Sequence, residues 1–146
     1  MIIVSVDFGD SRTGLAVCDR QEMLASPAGV IFEKRFDPCV EKVAQKAREL
    51  EAQLVVVGHP VNMNGTIGRR AEKCQDFAHK LEAQLDVPVV LWDERCTTVT
   101  AIGFLNETDT RGKKRKQVID AGAATIILEN YLSYRRNQAS RSETEE

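Results

Sequence analysis

Three acidic residues stand where a purely structural account explains them poorly. Asp7 ends the apolar, β-branched run IIVSVD and is followed at once by Phe8-Gly9. Glu94 closes a second such run, VPVVLWDE, which predicts a place at the mouth of the same sheet. Ligands of open α/β sheets gather at the carboxyl ends of strands, although a solvated acid is also ordinary there. Asp120 is the sharper case. Ala124, Ile127 and Tyr131 follow it at helical spacing, so the pattern directs Asp120 towards the apolar side of its helix. An unpaired carboxylate in that position costs several kcal/mol. The favourable helix dipole, about 0.3–1 kcal/mol for an exposed acid, is too small to offset it. A cation would remove the difficulty. Carboxylates alone suit Mg²⁺ or Mn²⁺, whereas zinc would prefer histidine or thiolate. Two such ions roughly 3.5–4 Å apart stabilise the attacking water and the leaving oxygen of a phosphodiester hydrolysis. In that arrangement Asp7 bridges, Glu94 and Asp120 each hold one ion, and Asp93 competes locally with Glu94.

The cations are placed to match. The formal net charge is −2, yet Arg111, Lys113, Lys114, Arg115 and Lys116 crowd five positive charges into six residues. Such a run is either a solvated loop or a contact to a phosphate backbone. Arg12, Arg69, Arg70 and Arg95 are further candidates for phosphate, each equally readable as solvated surface or a local ion pair. Asn62, Asn64, Gly65 and Gly68 form a polar loop that could close over substrate or be an ordinary turn. His59 and His79 read as structural residues, and Trp92 as core. Cys18, Cys39, Cys74 and Cys96 lack metal-finger spacing and read as reduced, mostly buried thiols.

The elements that must position these residues follow from periodicity. Residues 2–7, 13–18 and 23–32 read as consecutive strands, and 54–57 and 87–92 as two more. Asp37-Pro38 marks a helix start, with Val40, Val43, Ala47 and Leu50 on one face. Ala71, Cys74, Ala78, Leu81 and Leu85 mark a second helix, Thr97 or Thr98 could cap a short third, and a last helix spans about 117–134. The basic run falls in the loop before it. Three meandering strands followed by alternating helices and strands predict an α/β fold. Its centre is a ribonuclease-H-like, mixed, five-stranded sheet flanked by helices.

The chain has 146 residues, 42% of them hydrophobic and 29% charged, which fits one domain over 1–134. Residues 135–146 are polar and aperiodic, and the expectation is a disordered tail. No apolar run approaches the roughly 20 residues that span a bilayer, and the first residues lack a signal-peptide pattern. The expected location is the cytoplasm, with no membrane partner.

Four blocks now carry a resemblance: VDFGDSRTGLAV at 6–17, GHPVNMNG at 58–65, DERCTT at 93–98 and KKRKQVIDAGAATIILENYL at 113–132. In this order and spacing they resemble the YqgF/RuvX family, bacterial proteins similar to Holliday-junction resolvases and described as pre-16S rRNA nucleases. The likeness runs from about residue 2 to 134. It implies a Mg²⁺- or Mn²⁺-dependent endonuclease with Asp7, Glu94 and Asp120 as catalytic metal ligands. Arg12, Arg69, Arg95 and the Lys113, Lys114, Arg115, Lys116 run would contact substrate. The implied partners are pre-rRNA or branched DNA and ribosomal precursor particles, met by a monomer or weak homodimer. This chain departs from the family at His59, commonly leucine, and in the Cys96-Thr97-Thr98 segment. Two other readings compete. One is a non-catalytic RNA-binding assembly factor. The other takes Asp7-Phe8-Gly9 with Ser11-Arg12-Thr13-Gly14 as an ATP-phosphate loop, which would ordinarily need a second half-domain to clamp the nucleotide.

Overall fold

A strand buried on both faces sends successive side chains into two different cores, and the first strand does so over its whole length. In the computed structural model, residues 1–60, 65–93 and 112–144 are described, with backbone alone at 112–121 and 139–144. The elements are β1 (Ile3–Asp7), β2 (Arg12–Cys18), β3 (Ala25–Phe32), α1 (Phe36–Glu49), β4 (Leu54–His59), α2 (Arg69–Gln84), β5 (Val89–Asp93) and α3 (Gly112–Thr144). The sheet order is β3-β2-β1-β4-β5. The β1–β2 and β2–β3 pairs are antiparallel, and β1–β4 and β4–β5 are parallel. This is the mixed five-stranded sheet the sequence predicts.

On one face Val4, Val6 and Phe8 join Leu15, Val55 and Val57 beneath α1 and α2. Phe77 of α2 is fully buried and stacks on Phe8, with ring centroids 4.4 Å apart. Burying a phenylalanine contributes about 1.5–3 kcal/mol, so this pair anchors α2 to the end of β1, and Phe36 of α1 meets both rings edge-on. On the other face Ile3, Ala16, Cys18, Leu54 and Val56 pack against Ala124, Ile127, Leu128 and Leu132 of α3. One helix therefore covers the face to which Asp7 belongs.

The direction of α3 follows from two contacts. The Ser5 hydroxyl donates to the Ala124 carbonyl at 2.6 Å, both groups being buried. Further along the helix, the Arg135 guanidinium donates to the Glu22 carboxylate in the β2–β3 turn, at the sheet edge where β1 begins. The helix thus runs antiparallel to β1, and its N-terminal turns point towards the Asp7 edge.

Several boundaries differ from expectation. α1 starts at Phe36 with Arg35 as its N-cap, and Asp37 lies inside the first turn, where its carboxylate accepts a hydrogen bond from Lys80 at 2.9 Å. β3 begins at Ala25 because the Asp19 carboxylate accepts the Met23 and Leu24 amides, holding both residues in the turn. α3 starts at Gly112, so the basic run expected in a loop is helical backbone. Lysine and arginine are good helix formers, which removes any local reason to delay the start. The same helix continues to Thr144 through the segment expected to be a disordered tail. The short helix expected near 97–105 lies outside the described residues. No helix among the described residues is long and apolar enough to cross a membrane.

Candidate functional site

The parallel strands β1, β4 and β5 end at one edge of the sheet, and Asp7 is the last residue of β1, the central strand of the five. Its alternation with Ile3 and Ser5 puts it on the α3 face, half-buried. The strand register shows what flanks it. Gly14 on β2 is its direct partner. On the other side Val6 pairs with Val57, so Gly58 of β4 stands one residue further on beside Asp7, and Gly58 pairs in turn with Trp92. Gly14 and Gly58 are buried on the α3 face and bring no side chain. The floor on both sides of the carboxylate is bare backbone.

The loop leaving Asp7 is tightly built. A Cβ placed on Gly9 would lie 2.2 Å from the Arg12 carbonyl oxygen, so only glycine allows β2 to return at this spacing. Arg70, in the first turn of α2, donates to the Phe8 carbonyl at 3.3 Å and brings a guanidinium to the residue after Asp7. Lys73 lies 3.6 Å from Asp10. Arg69 is exposed beside Arg70 at the start of α2. The expected substrate contacts include Arg69 and not Arg70, whereas the structure brings Arg70 to the Asp7 loop; a contact to a carbonyl of another loop leaves no signal in sequence spacing. Arg12 opens β2 at the same edge.

Glu94 and Arg95 follow β5 and lie outside the described residues. Asp120 is described only as α3 backbone, as are Lys113, Lys114, Arg115 and Lys116. Asp120 precedes Ala124 by one helical turn, about 6 Å along the axis, while Asp7 lies two residues beyond Ser5, about 6.6 Å along β1. Starting from the Ser5–Ala124 hydrogen bond, both backbones advance a similar distance towards the same edge. Among the described residues no group of three His, Cys, Asp or Glu side chains lies close enough to hold a metal.

His59 shares a 3.1 Å hydrogen bond with Gln75 and belongs to the α2 face, a structural setting. Trp92 packs edge-on against Tyr131, with centroids 5.5 Å apart, as a core residue would. Cys18, Cys39 and Cys74 are buried free thiols, and burial pushes Cys18 and Cys39 above the usual thiol range.

The model of one family, described as RuvX, Holliday junction resolvase, matches residues 1–134. A relative from Halothermothrix orenii is 44% identical over 134 residues, covering 92% of this chain and 96% of the relative. One from Listeria monocytogenes is also 44% identical over 134 residues, covering 90% and 97%. Both carry the name "Putative pre-16S rRNA nuclease". Among solved structures, Thermus thermophilus RuvC in complex with a Holliday junction substrate superposes with a TM-score of 0.64 at 14% identity, covering 93% of this chain and 95% of that one. The fowlpox virus resolvase bound to junction DNA gives 0.58 at 13% identity, covering 92% and 98%. Those two show a shared fold. The chain belongs to the RuvX family, and its fold is the ribonuclease-H-like one of the resolvases.

Proposed function

We propose that this RuvX-family chain is a metal-dependent endonuclease of the cytoplasm that hydrolyses nucleic-acid phosphodiesters, with processing of the 5′ end of pre-16S rRNA as its main role. The observation that carries the reading is the Asp7 edge itself: a carboxylate on bare backbone, at the end of the central strand, facing the helix that bears Asp120. The family name and the names of its relatives support a nuclease, and the relatives' names favour the ribosomal substrate.

The oxygen-only donors fit Mg²⁺ or Mn²⁺, with Asp7, Glu94 and Asp120 as the ligands. Val90 and Trp92, near the end of β5, lie on the same face as Asp7. Bound there, divalent ions would supply an activated water and stabilise the leaving oxygen. The protein supplies position and charge. Arg12, Arg69, Arg70, Arg95 and the Lys113–Lys116 run hold the phosphate backbone around Asp7. The charge placement supports this. Two helices begin near this edge with cations in their first turns, α2 at Arg69-Arg70 and α3 at Lys113–Lys116. A cation at a helix N-terminus opposes the dipole by about 0.3–1 kcal/mol, and a bound polyanion reverses that sign. The chain acts as a monomer or weak homodimer on pre-rRNA within ribosomal precursor particles.

The test is cleavage of a labelled pre-16S 5′-leader RNA and a synthetic four-way DNA junction, in Mg²⁺ or Mn²⁺, by wild type and Asp7→Asn. Metal-dependent cutting of the leader, lost in the variant, is expected. Preferential cutting of the junction would reassign the role to branched DNA. Folded protein that binds RNA but cuts neither substrate would make it an assembly factor.

A further inference from the structure

Phe32 is 60% exposed at the end of an edge strand, where an aromatic ring left in water forgoes the stabilisation that burial would return. Its surroundings suggest what the ring is for. Phe32 pairs directly with Arg12 across the β2–β3 ladder, so the two side chains share a face. That face is the one occupied by Ala16 and Cys18, and therefore by Asp7. Arg12 lies two residues outward of Gly14, the partner of Asp7. From strand spacing and rise, the Cα of Arg12 is about 8 Å from that of Asp7, and the Cα of Phe32 about 12 Å.

Beside this pair opens a cleft of about 520 Å³ lined by Ser11, Arg12, Phe32, Glu33, Lys34 and Arg35. Its charge is cationic. Glu33 is already matched by Arg35 and by Lys42, at 3.2 and 3.0 Å. Lys34 adds positive charge beside a carboxylate that two cations have neutralised. An exposed ring framed by arginine and lysine has the composition of a stacking platform for nucleic acid, where the ring takes a base and the cations take its phosphates.

We propose that Phe32 and the Arg12–Lys34–Arg35 cleft form a binding subsite for a single-stranded nucleotide, next to the scissile phosphate at Asp7. The inference rests on the nuclease reading and deepens it. A base within a duplex has both faces covered by its neighbours, so a protein ring can stack only on an unpaired one. The subsite therefore selects a frayed, looped or single-stranded segment flanking the cut, and it does so without reading base identity.

The test is fluorescence anisotropy in EDTA, where nothing is cut, with a labelled single-stranded oligodeoxyadenylate and its abasic counterpart. Phe32→Ala is expected to weaken the base-bearing strand about 5- to 150-fold and leave the abasic strand unchanged. Phe32→Tyr should bind like wild type, and Lys34→Ala should reduce the salt slope by about 0.7 on both strands. Equal binding by Phe32→Ala, or an equal loss on both strands, would overturn the subsite. So would a shift of the wild type's sedimentation that Phe32→Ala abolishes while binding is unaffected, since the ring would then be covered by a second copy. If Phe32→Ala is indifferent while wild type cuts and Asp7→Asn does not, the subsite fails and the nuclease stands. If wild type neither binds nor cuts nucleic acid, both fail.

Discussion

Replacing Ser5 with alanine should separate the stability of this protein from its chemistry. The Ser5 hydroxyl and the Ala124 carbonyl are buried and lie 2.6 Å apart, and they link β1 to α3 between the two backbones that carry Asp7 and Asp120. A neutral hydrogen bond contributes about 0.5–1.5 kcal/mol net. The Ala124 carbonyl still accepts the helical amide four residues on, so it is not orphaned. Adding a hydroxyl-sized void, Ser5→Ala should cost about 1–2 kcal/mol. At about 2.1 cal/mol/K of unfolding entropy per residue, Tm falls by about 3–7 °C. The effect on activity should be larger in proportion, because a displacement near 1 Å at a reacting centre can cost about 100-fold. Val43→Ala is the control: a fully buried residue on the other face, whose truncation should cost about 2 kcal/mol with full activity below the transition. Thermal melts and metal-dependent cleavage, both at a temperature where every variant is folded, make the comparison. If Ser5→Ala melts lower but cuts as well as Val43→Ala, this hydrogen bond does not set the site. If it neither melts lower nor cuts more slowly, the helix is held in register by packing alone.

Gly9→Ala should lower the urea midpoint by about 1–3 kcal/mol equivalent, because its Cβ meets a backbone oxygen that cannot swing away; an unchanged midpoint would mean the turn has slack. Arg35, chiefly by its guanidinium and then by its amide, together with Lys42, holds the Glu33 carboxyl down to about 2. A lowered folded-state value means stability that is present above the unfolded value near 4.5 and is lost as pH falls towards 2. Melts of Glu33→Gln and wild type should therefore differ at pH 6 and converge by about pH 2; a constant difference would point to packing. Arg135→Ala should cost about 0.5–1 kcal/mol, since the pair with Glu22 is partly exposed. It should also speed amide exchange selectively in the last turns of α3, and uniform exchange would show that this end is not held there.

Where side-chain pattern alone decides structure, the sequence was readable. The β-branched alternation of Ile3 to Asp7 and the unbroken Leu54-Val55-Val56-Val57 run announce strands covered on both sides, and both are. The stripe through Ala124, Ile127 and Tyr131 found the covered face of α3. Boundaries set by a specific contact were not readable. Met23 and Leu24 look like strand residues, and only the Asp19 carboxylate keeps them out. Lys113–Lys116 look like a loop because charge suggests solvent, whereas propensity permits the helix. For the candidate site, the strand end marked Asp7 only as one acid among others, since a solvated carboxylate is ordinary there. Phe32 could not be singled out at all, since an aromatic closing a strand is ordinary until its exposure and its pairing with Arg12 are seen.

The bare floor beside Asp7 has a consequence for how this activity can be lost over evolutionary time. Gly14 and Gly58 stand beside Asp7 on the neighbouring strands without side chains, and neither is itself an acid or a base. A single nucleotide change at either codon introduces a side chain next to the carboxylate, while the three acids of the proposed site survive. A relative could thus drift from enzyme to binding protein with its acidic signature intact. Counting carboxylates across genomes would score such a descendant as active, and the two glycines are the positions that would tell the lineages apart.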